Sequence, residues 1–439
     1  MHLLKKIFSP TILTISSFIL IYTFYKSEIY WHGEIRNYYF TYYIFSSILI
    51  FFSIISFFIS QKIKEYLIIS GISLLAGLYL FEGYLTFKEQ TSKELFLKQQ
   101  LYEKQTGNKW DKRSKLEIYK DLKKINSKIV LRFVPKNLYE DSDNILSLSG
   151  ISNSKTIYCN ENGYYSINQS DRYGFNNPDL EWEDNTNLVI IGDSFALGAC
   201  VNNEDSIAFL LRKNSKKSLV NLGYPGLGPL TQYVSLREYF PAKAKNIIWL
   251  FYEGNDLLDL RRELKNKILM NYLNDTNFSQ NLKINQTLFN DLYKIKVQEE
   301  FDEIKNQKNI QKRYDPVKIV LDIVKLNNIR PIFFNDKLPL NRFVEIVKKV
   351  KIYSDRNKAE LYFVYLPEYK RFKTSYDNTN YEFIKKKINE LDINFIDIKK
   401  NVFEKEKNPL SLFPFEKNGH YNVNGYNKVY KEIYRMIKN

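Results

Sequence analysis

The sequence predicts an α/β protein with a parallel five-stranded sheet, preceded by three N-terminal transmembrane helices. Three features of the 439-residue chain predict it: apolar runs crowded into the first ninety positions, a later alternation of strand-like and helix-like segments, and small, glycine-bearing turns straight after several of the strand-like ones.

Residues 7–25, 38–60 and 66–81 contain no charged side chain, and the last run continues from 83 to 87 beyond a single Glu82. A helix needs roughly 17 to 25 residues to cross the hydrocarbon core. The first two runs satisfy that outright, and the third does so with Glu82 near its end, where a carboxylate reaches interfacial water. The first run is longer than a signal-peptide core and no small-x-small cleavage site follows it, so it is read as an anchor. Lys5 and Lys6 precede the first run, and Lys62 and Lys64 lie between the second and third. Such short-loop basic residues belong on the cytoplasmic side. The N-terminus is then cytoplasmic, and three spans place everything after residue 88 of this multi-pass plasma-membrane or inner-membrane protein outside the cytoplasm.

The formal charge of +16 raises nucleic acid or anionic lipid as partners. The basic residues are dispersed among acidic ones, however, and form no stripe, so no nucleic acid is expected. Cys159 and Cys200 are the only cysteines. A disulfide is permitted in the expected compartment; the alternative is two unrelated buried thiols, because sequence does not give the Cα separation a bridge requires.

The chain divides into an anchor (1–87), a helical connector and loop-rich lead-in (88–186) and an α/β domain (187–439). In the connector, Leu95, Leu97, Leu101, Leu116, Ile118 and Leu122 are spaced for helix, and its expected role is a spacer. Residues 129–182 are short apolar runs broken by Pro135, Gly150, Gly163, Gly174 and Pro178, a texture of loops and minor strands. Strands are expected at 188–191, 218–222, 246–252, 361–366 and 394–398, as continuous apolar runs suited to a sheet buried on both faces. Helices are expected at 205–213, 342–353 and 381–391, with a closing helix carrying Val429, Ile433, Met436 and Ile437. An insertion at about 261–341, with helices near 288–306 and 317–326, is either a lid over the site or packing decoration.

Four blocks carry chemistry, in this order: Gly192-Asp193-Ser194 after the first strand, Asn221-Leu222-Gly223-Tyr224-Pro225-Gly226 after the second, Gly254-Asn255-Asp256 after the third, and Gly419-His420-Tyr421-Asn422 before the last helix. From about residue 188 to the C-terminus this resembles the SGNH/GDSL hydrolases, and the resemblance implies a flavodoxin-like three-layer sandwich. It also implies that Ser194 is the nucleophile and His420 its base. The backbone N–H groups of Ser194 and Gly226 and the side-chain amide of Asn255 would form the oxyanion hole. Independently, His420 is the only histidine outside the anchor, since His2 and His32 lie within it. A serine hydroxyl needs such a base to become nucleophilic.

The chain departs from the family at Lys417, where an Asp three residues before the His is usual. Glu416 and Asn418 are neighbours, and no third triad member is assigned. The expected function is hydrolysis of an acyl ester, O-acetyl above all, on an extracytoplasmic glycan or lipid, beside the cell-envelope polysaccharide machinery. The alternatives are a polysaccharide O-acetyltransferase using the same acyl-enzyme, and a catalytically degenerate glycan-binding scaffold. No metal or organic cofactor is implied, because acyl transfer through serine needs only a base and oxyanion donors.

Overall fold

The computed structural model describes residues 2–30, 33, 36–90, 94–132, 146–183, 186–309, 320–321, 323–326, 329, 338–373 and 375–438. The chain forms two compact units: Met1–Ser92 with Lys312–Lys337, and Lys93–Gln311 with Leu338–Asn439.

In the first unit, α1 (His2–Phe24) runs into a π-helical stretch, Tyr25–Tyr30, and is followed by α2 (Arg36–Ile55) and α3 (Gln61–Gln90). Large apolar side chains face outward, with Phe18 69% and Leu80 76% exposed, whereas the hydroxyls of Ser9, Ser16, Ser46 and Ser53 are buried. That is the reverse of a water-soluble helix cluster and the pattern of helices packed through small residues. Two segments, Lys5–Tyr30 and Gln61–Thr86, are long and apolar enough to cross a membrane. Sequence had suggested three, with the third run the shortest; instead it is α2 whose apolar part, Tyr39–Ile55, falls short. Its helix stops at Ile55, and the rest of that apolar run turns back, with Phe57 N–H donating to the Ile54 carbonyl and Phe58 N–H to that of Ile55. The third run, conversely, gains length by starting its helix at Gln61. Of the expected insertion, the Ile329 N–H donates to the Glu82 carboxylate at 2.9 Å within this first unit; the helix expected over 317–326 lies partly outside the described residues.

The second unit opens with α4 (Glu94–Thr106) and α5 (Lys115–Ile125), the latter started by a capping box between Ser114 and Glu117. A small mixed sheet follows: β1 (Ile129–Leu131) pairs in parallel with β2 (Lys155–Ile157), which pairs antiparallel with β3 (Ile167–Gln169). The main sheet comprises β4 (Leu188–Gly192), β5 (Leu219–Asn221), β6 (Asn246–Tyr252), β7 (Glu360–Leu366) and β8 (Asn394–Asp397). It is parallel throughout, in the order β5-β4-β6-β7-β8. Counted along the chain this is 2-1-3-4-5, the flavodoxin-like doubly wound order, whose switch point lies between the first and third strands.

Alternation along the strands assigns both faces. Val189, Ile191, Val220, Ile247, Trp249, Phe251 and Phe363 join one core, covered by α8 (Pro229–Tyr239) and α12 (Leu340–Arg356). Leu188, Ile190, Leu219, Ile248, Leu250 and Val364 join the other, covered by α7 (Ile207–Ser215) and α14 (Val423–Lys438). Between these lie α6 (Ser194–Leu197) after β4, α9 (Asp256–Glu263), α10 (Lys267–Asn274) and α11 (Gln286–Asn309) after β6, and α13 (Thr379–Glu390) before β8. The α10–α11 part of the insertion packs into the first core through Leu269, Tyr272, Phe289 and Tyr293, so it thickens the domain. Helix α8 had no counterpart in the sequence reading: every residue from Pro229 to Leu236 is buried, which leaves no polar face for a periodicity to reveal.

Candidate active site

The site grows from the switch point. After β4 the chain turns through Gly192 and Asp193 into the one-turn helix α6, and the Asp193 carboxylate caps it by accepting the Phe195 N–H at 2.9 Å. Burial pushes the Asp193 carboxyl up to about 6, against the pull of that N–H and of His420. From residue 188 to 201 only Ser194 is not buried. The same holds for Gly226 across 219–236. Gly226 sits at φ +83°, a left-handed conformation that favours glycine, in the turn after β5. Asn255 follows β6, where its Nδ2 donates to Asp259 Oδ2 at 2.9 Å. Ser194, Gly226 and Asn255 thus stand at the carboxyl ends of three adjacent strands, the edge at which doubly wound sheets bind ligands.

His420 reaches this edge from the segment before α14. Its Nε2 is 2.9 Å from Ser194 Oγ. The ring lies over Phe195, centroids 4.9 Å apart, and Phe195 in turn stacks on Tyr252 at 3.9 Å.

Glu161, in the loop between β2 and β3, supplies the third group. Its Oε1 is 3.1 Å from His420 Nδ1, and its Oε2 accepts the backbone N–H of His420 at 2.7 Å. One carboxylate therefore clamps both the ring and the main chain of the histidine. A carboxylate at Nδ1 holds the proton there and leaves Nε2 free to accept from the serine hydroxyl. Gly419 makes the approach possible: a Cβ at that position would lie 2.5 Å from Glu161 Oε2.

The electrostatics follow the contacts. Burial alone would lower the His420 pKa, but the charge and hydrogen bond of Glu161, helped by Asp193, outweigh it and hold the imidazole above its ordinary value. Burial alone would raise Glu161; the charge of His420, hydrogen bonds from its ring and backbone, and Lys98 outweigh it, so the carboxyl is held below its ordinary value. Lys98, on α4, also donates to the Asn418 carbonyl at 2.6 Å, two residues before His420. The connector therefore contributes a charged side chain to the surroundings of the site.

The carboxylate that meets His420 is thus neither neighbour of Lys417. Glu416 Oε1 instead accepts from Asn408 Nδ2 at 2.8 Å. The one local hint of Glu161 is Cys159 two residues before it. Cys159 and Cys200 form a disulfide with a Cα separation of 5.1 Å, which settles the alternative left open by the sequence. Both sulfurs and His420 Nδ1 lie within 4.8 Å of one another. Joined in a disulfide the sulfurs carry no thiolate, the form in which cysteine ligates a metal, so this donor set does not fit a resident ion.

No family model and no curated protein matches this chain. Among solved structures, similarity is found to a protein assigned to the G-D-S-L lipolytic family from Desulfitobacterium hafniense DCB-2. The identity is 18%, over 57% of this chain and 99% of that one, with a TM-score of 0.33. A likeness at that TM-score does not extend to function.

Proposed function

We propose that this chain is a membrane-anchored serine esterase of the SGNH/GDSL type that hydrolyses an acyl ester, O-acetyl above all, on an extracytoplasmic glycan or lipid. One observation carries the reading: the continuous chain Glu161–His420–Ser194, at 3.1 and 2.9 Å, at the switch point of a doubly wound sheet.

As Ser194 Oγ attacks the ester carbonyl carbon, its proton passes to His420 Nε2, and Glu161 remains an anion that stabilises the imidazolium. The carbonyl oxygen becomes an oxyanion held by the N–H groups of Ser194 and Gly226 and the amide of Asn255; each such donor is worth about 2.7–4 kcal/mol of barrier. The imidazolium gives its proton to the departing alcohol as the C–O bond breaks, leaving an acyl-serine. Water then attacks, losing a proton to His420, and the carboxylic acid leaves as Ser194 takes that proton back. An intact set of these groups favours turnover over a degenerate binding role.

The location rests on two supports. Hydroxyl-inward, apolar-outward packing in the first unit suits lipid. The disulfide suits an oxidising compartment. With a cytoplasmic N-terminus, that compartment is reached by an odd number of spans, so α2 crosses too, its 17 apolar residues (Tyr39–Ile55) at the lower limit of length.

The test is turnover of p-nitrophenyl acetate by the full-length protein in detergent. Ser194→Ala and His420→Ala are each expected to lower kcat on the order of 10⁶-fold relative to native. Native-like turnover in either variant would exclude the mechanism.

A further inference from the structure

We propose that the Cys159–Cys200 disulfide is the positioning element of the orienting acid: it fixes the 158–166 loop so that Glu161 meets His420, and the site is complete only in the disulfide-bonded protein. The inference rests on the serine-hydrolase reading and adds a condition to it.

The orienting carboxylate and the nucleophile belong to different sheets. Ser194 follows β4 of the main sheet; Glu161 hangs in the loop joining β2 and β3 of the small one. On its own side the loop is well held: Tyr158 N–H donates to the Ser166 carbonyl and Ser166 N–H to that of Cys159. Asn160 Nδ2 donates to the Asp111 carbonyl at 2.9 Å, and Asp111 N–H to the Gly163 carbonyl. All of these tie the loop to its own hairpin or to the connector, none to the nucleophile.

Two ties to the Ser194 side closely flank Glu161, and they share one residue. Cys159, two before Glu161, is bonded to Cys200, six after Ser194. Asn162, one after Glu161, donates its Nδ2 to the Cys200 carbonyl at 2.8 Å. Glu161 is therefore bracketed by two attachments to Cys200, one covalent and one a hydrogen bond. Cys200 Sγ itself is 3.4 Å from His420 Nδ1, so the bridge lies at the same ring edge as the carboxylate. Cys200 also holds φ +66°, a left-handed conformation uncommon for a side-chain-bearing residue and maintained only where the surroundings impose it. Non-covalent help comes from Tyr158, which packs with Leu197, Cys200, Tyr224 and Leu227. That packing, the hydrogen bond between the Tyr158 and Tyr224 hydroxyls and that of Tyr164 with the Asn202 backbone set the loop near the site, each attached three residues away from Glu161. A shift of about 1 Å in a positioned group can cost about 10²-fold in rate.

A dithiol such as dithiothreitol breaks the S–S bond with two electrons and two protons, leaving two thiols and closing to its own cyclic disulfide. Glu161 then keeps only the Asn162 bracket, and the freed Cys200 thiol sits beside Nδ1 as a competing partner.

The experiment compares kcat, KM and the pH profile of the full-length protein on p-nitrophenyl acetate, before and after dithiothreitol, in native and Glu161→Gln forms. A chelator in every arm keeps thiophilic ions off the two sulfurs and Nδ1. Reduction is expected to lower native kcat at least tenfold with KM changed less than twofold. It should also move the acidic limb of the native profile to lower pH, as Glu161→Gln does, and leave the kcat of Glu161→Gln unchanged. The inference is overturned if reduced native protein keeps its kcat and limb, or if reduction lowers both forms by the same factor, the mark of general loosening. A fluorophosphonate label on the oxidised native protein separates the levels. Labelling without redox dependence removes this inference alone, whereas no labelling removes the hydrolase reading with it.

Discussion

Two regions meet at this site, and they are held by different physics. Ser194, Gly226 and Asn255 stand at the ends of β4, β5 and β6, whose residues alternate into two cores and are almost wholly buried. Their positions follow from packing, which is dense and shared among many contacts. Glu161 comes from a loop between three-residue strands, directed by a disulfide, a few side-chain-to-backbone hydrogen bonds and a glycine that makes room. The sheet sets the Ser194 hydroxyl at its edge whatever the loop does; the loop decides whether the histidine beside it is oriented. Damage to the sheet should therefore register as lost stability, and damage to the loop as lost rate.

The largest loop effect expected is from Glu161→Gln. Replacing the orienting acid of a serine triad costs on the order of 10⁴-fold in kcat. Because the carboxylate holds His420 above its ordinary pKa, the acidic limb of kcat/KM should also move down in the variant. An unchanged limb would detach Glu161 from the histidine. Next comes Asn255→Ala at the strand ends, expected to lower kcat about 10²- to 10³-fold with KM little changed, as for loss of one oxyanion donor. Gly419→Ala, which drives a methyl against Glu161 Oε2, should cost on the order of 10²-fold in rate while leaving the thermal midpoint near native. The smallest rate effect belongs to the sheet. Ile248→Val, fully buried in β6, should destabilise by about 0.5–1.5 kcal/mol in a denaturant titration and leave kcat of the folded protein unchanged.

Stability against pH sharpens the same contrast. His420, raised in the fold, contributes stability that is complete below its ordinary value of 6.5 and is lost as pH rises through the raised one. Glu161, lowered in the fold, contributes stability that is complete above its ordinary value of 4.5 and is lost as pH falls through the lowered one. The stability difference between native protein and Glu161→Gln should therefore peak between 4.5 and 6.5, measured as denaturation midpoints across pH.

The same division explains what the sequence disclosed. A strand buried on both faces leaves an uninterrupted apolar run, and the expected 246–252 coincides with β6 while 361–366 misses β7 by one residue. The turn blocks after those strands are local, so the placement of Ser194, Gly226 and Asn255 at the strand ends was legible, and His420 stood out because the other histidines lie in the anchor. Glu161 left no such trace. It meets His420 across 259 positions, with no period or spacing to mark it, and the family's usual place for an acid holds Lys417. Helix α8 escaped for the opposite reason, being buried all round. In the first unit the apolar runs were plain, but run length did not disclose that α2 would stop at Ile55 and give its last residues to a turn.

The central claim, that Ser194 is a nucleophile activated through His420, is tested most directly by mapping where a fluorophosphonate attaches. The full-length protein is labelled at neutral pH, digested and analysed by mass spectrometry, with His420→Ala alongside. A single adduct on the Ser194 peptide of the native protein, strongly reduced in His420→Ala, is the predicted result. An unlabelled Ser194 in folded native protein, or equal labelling in the variant, would contradict it.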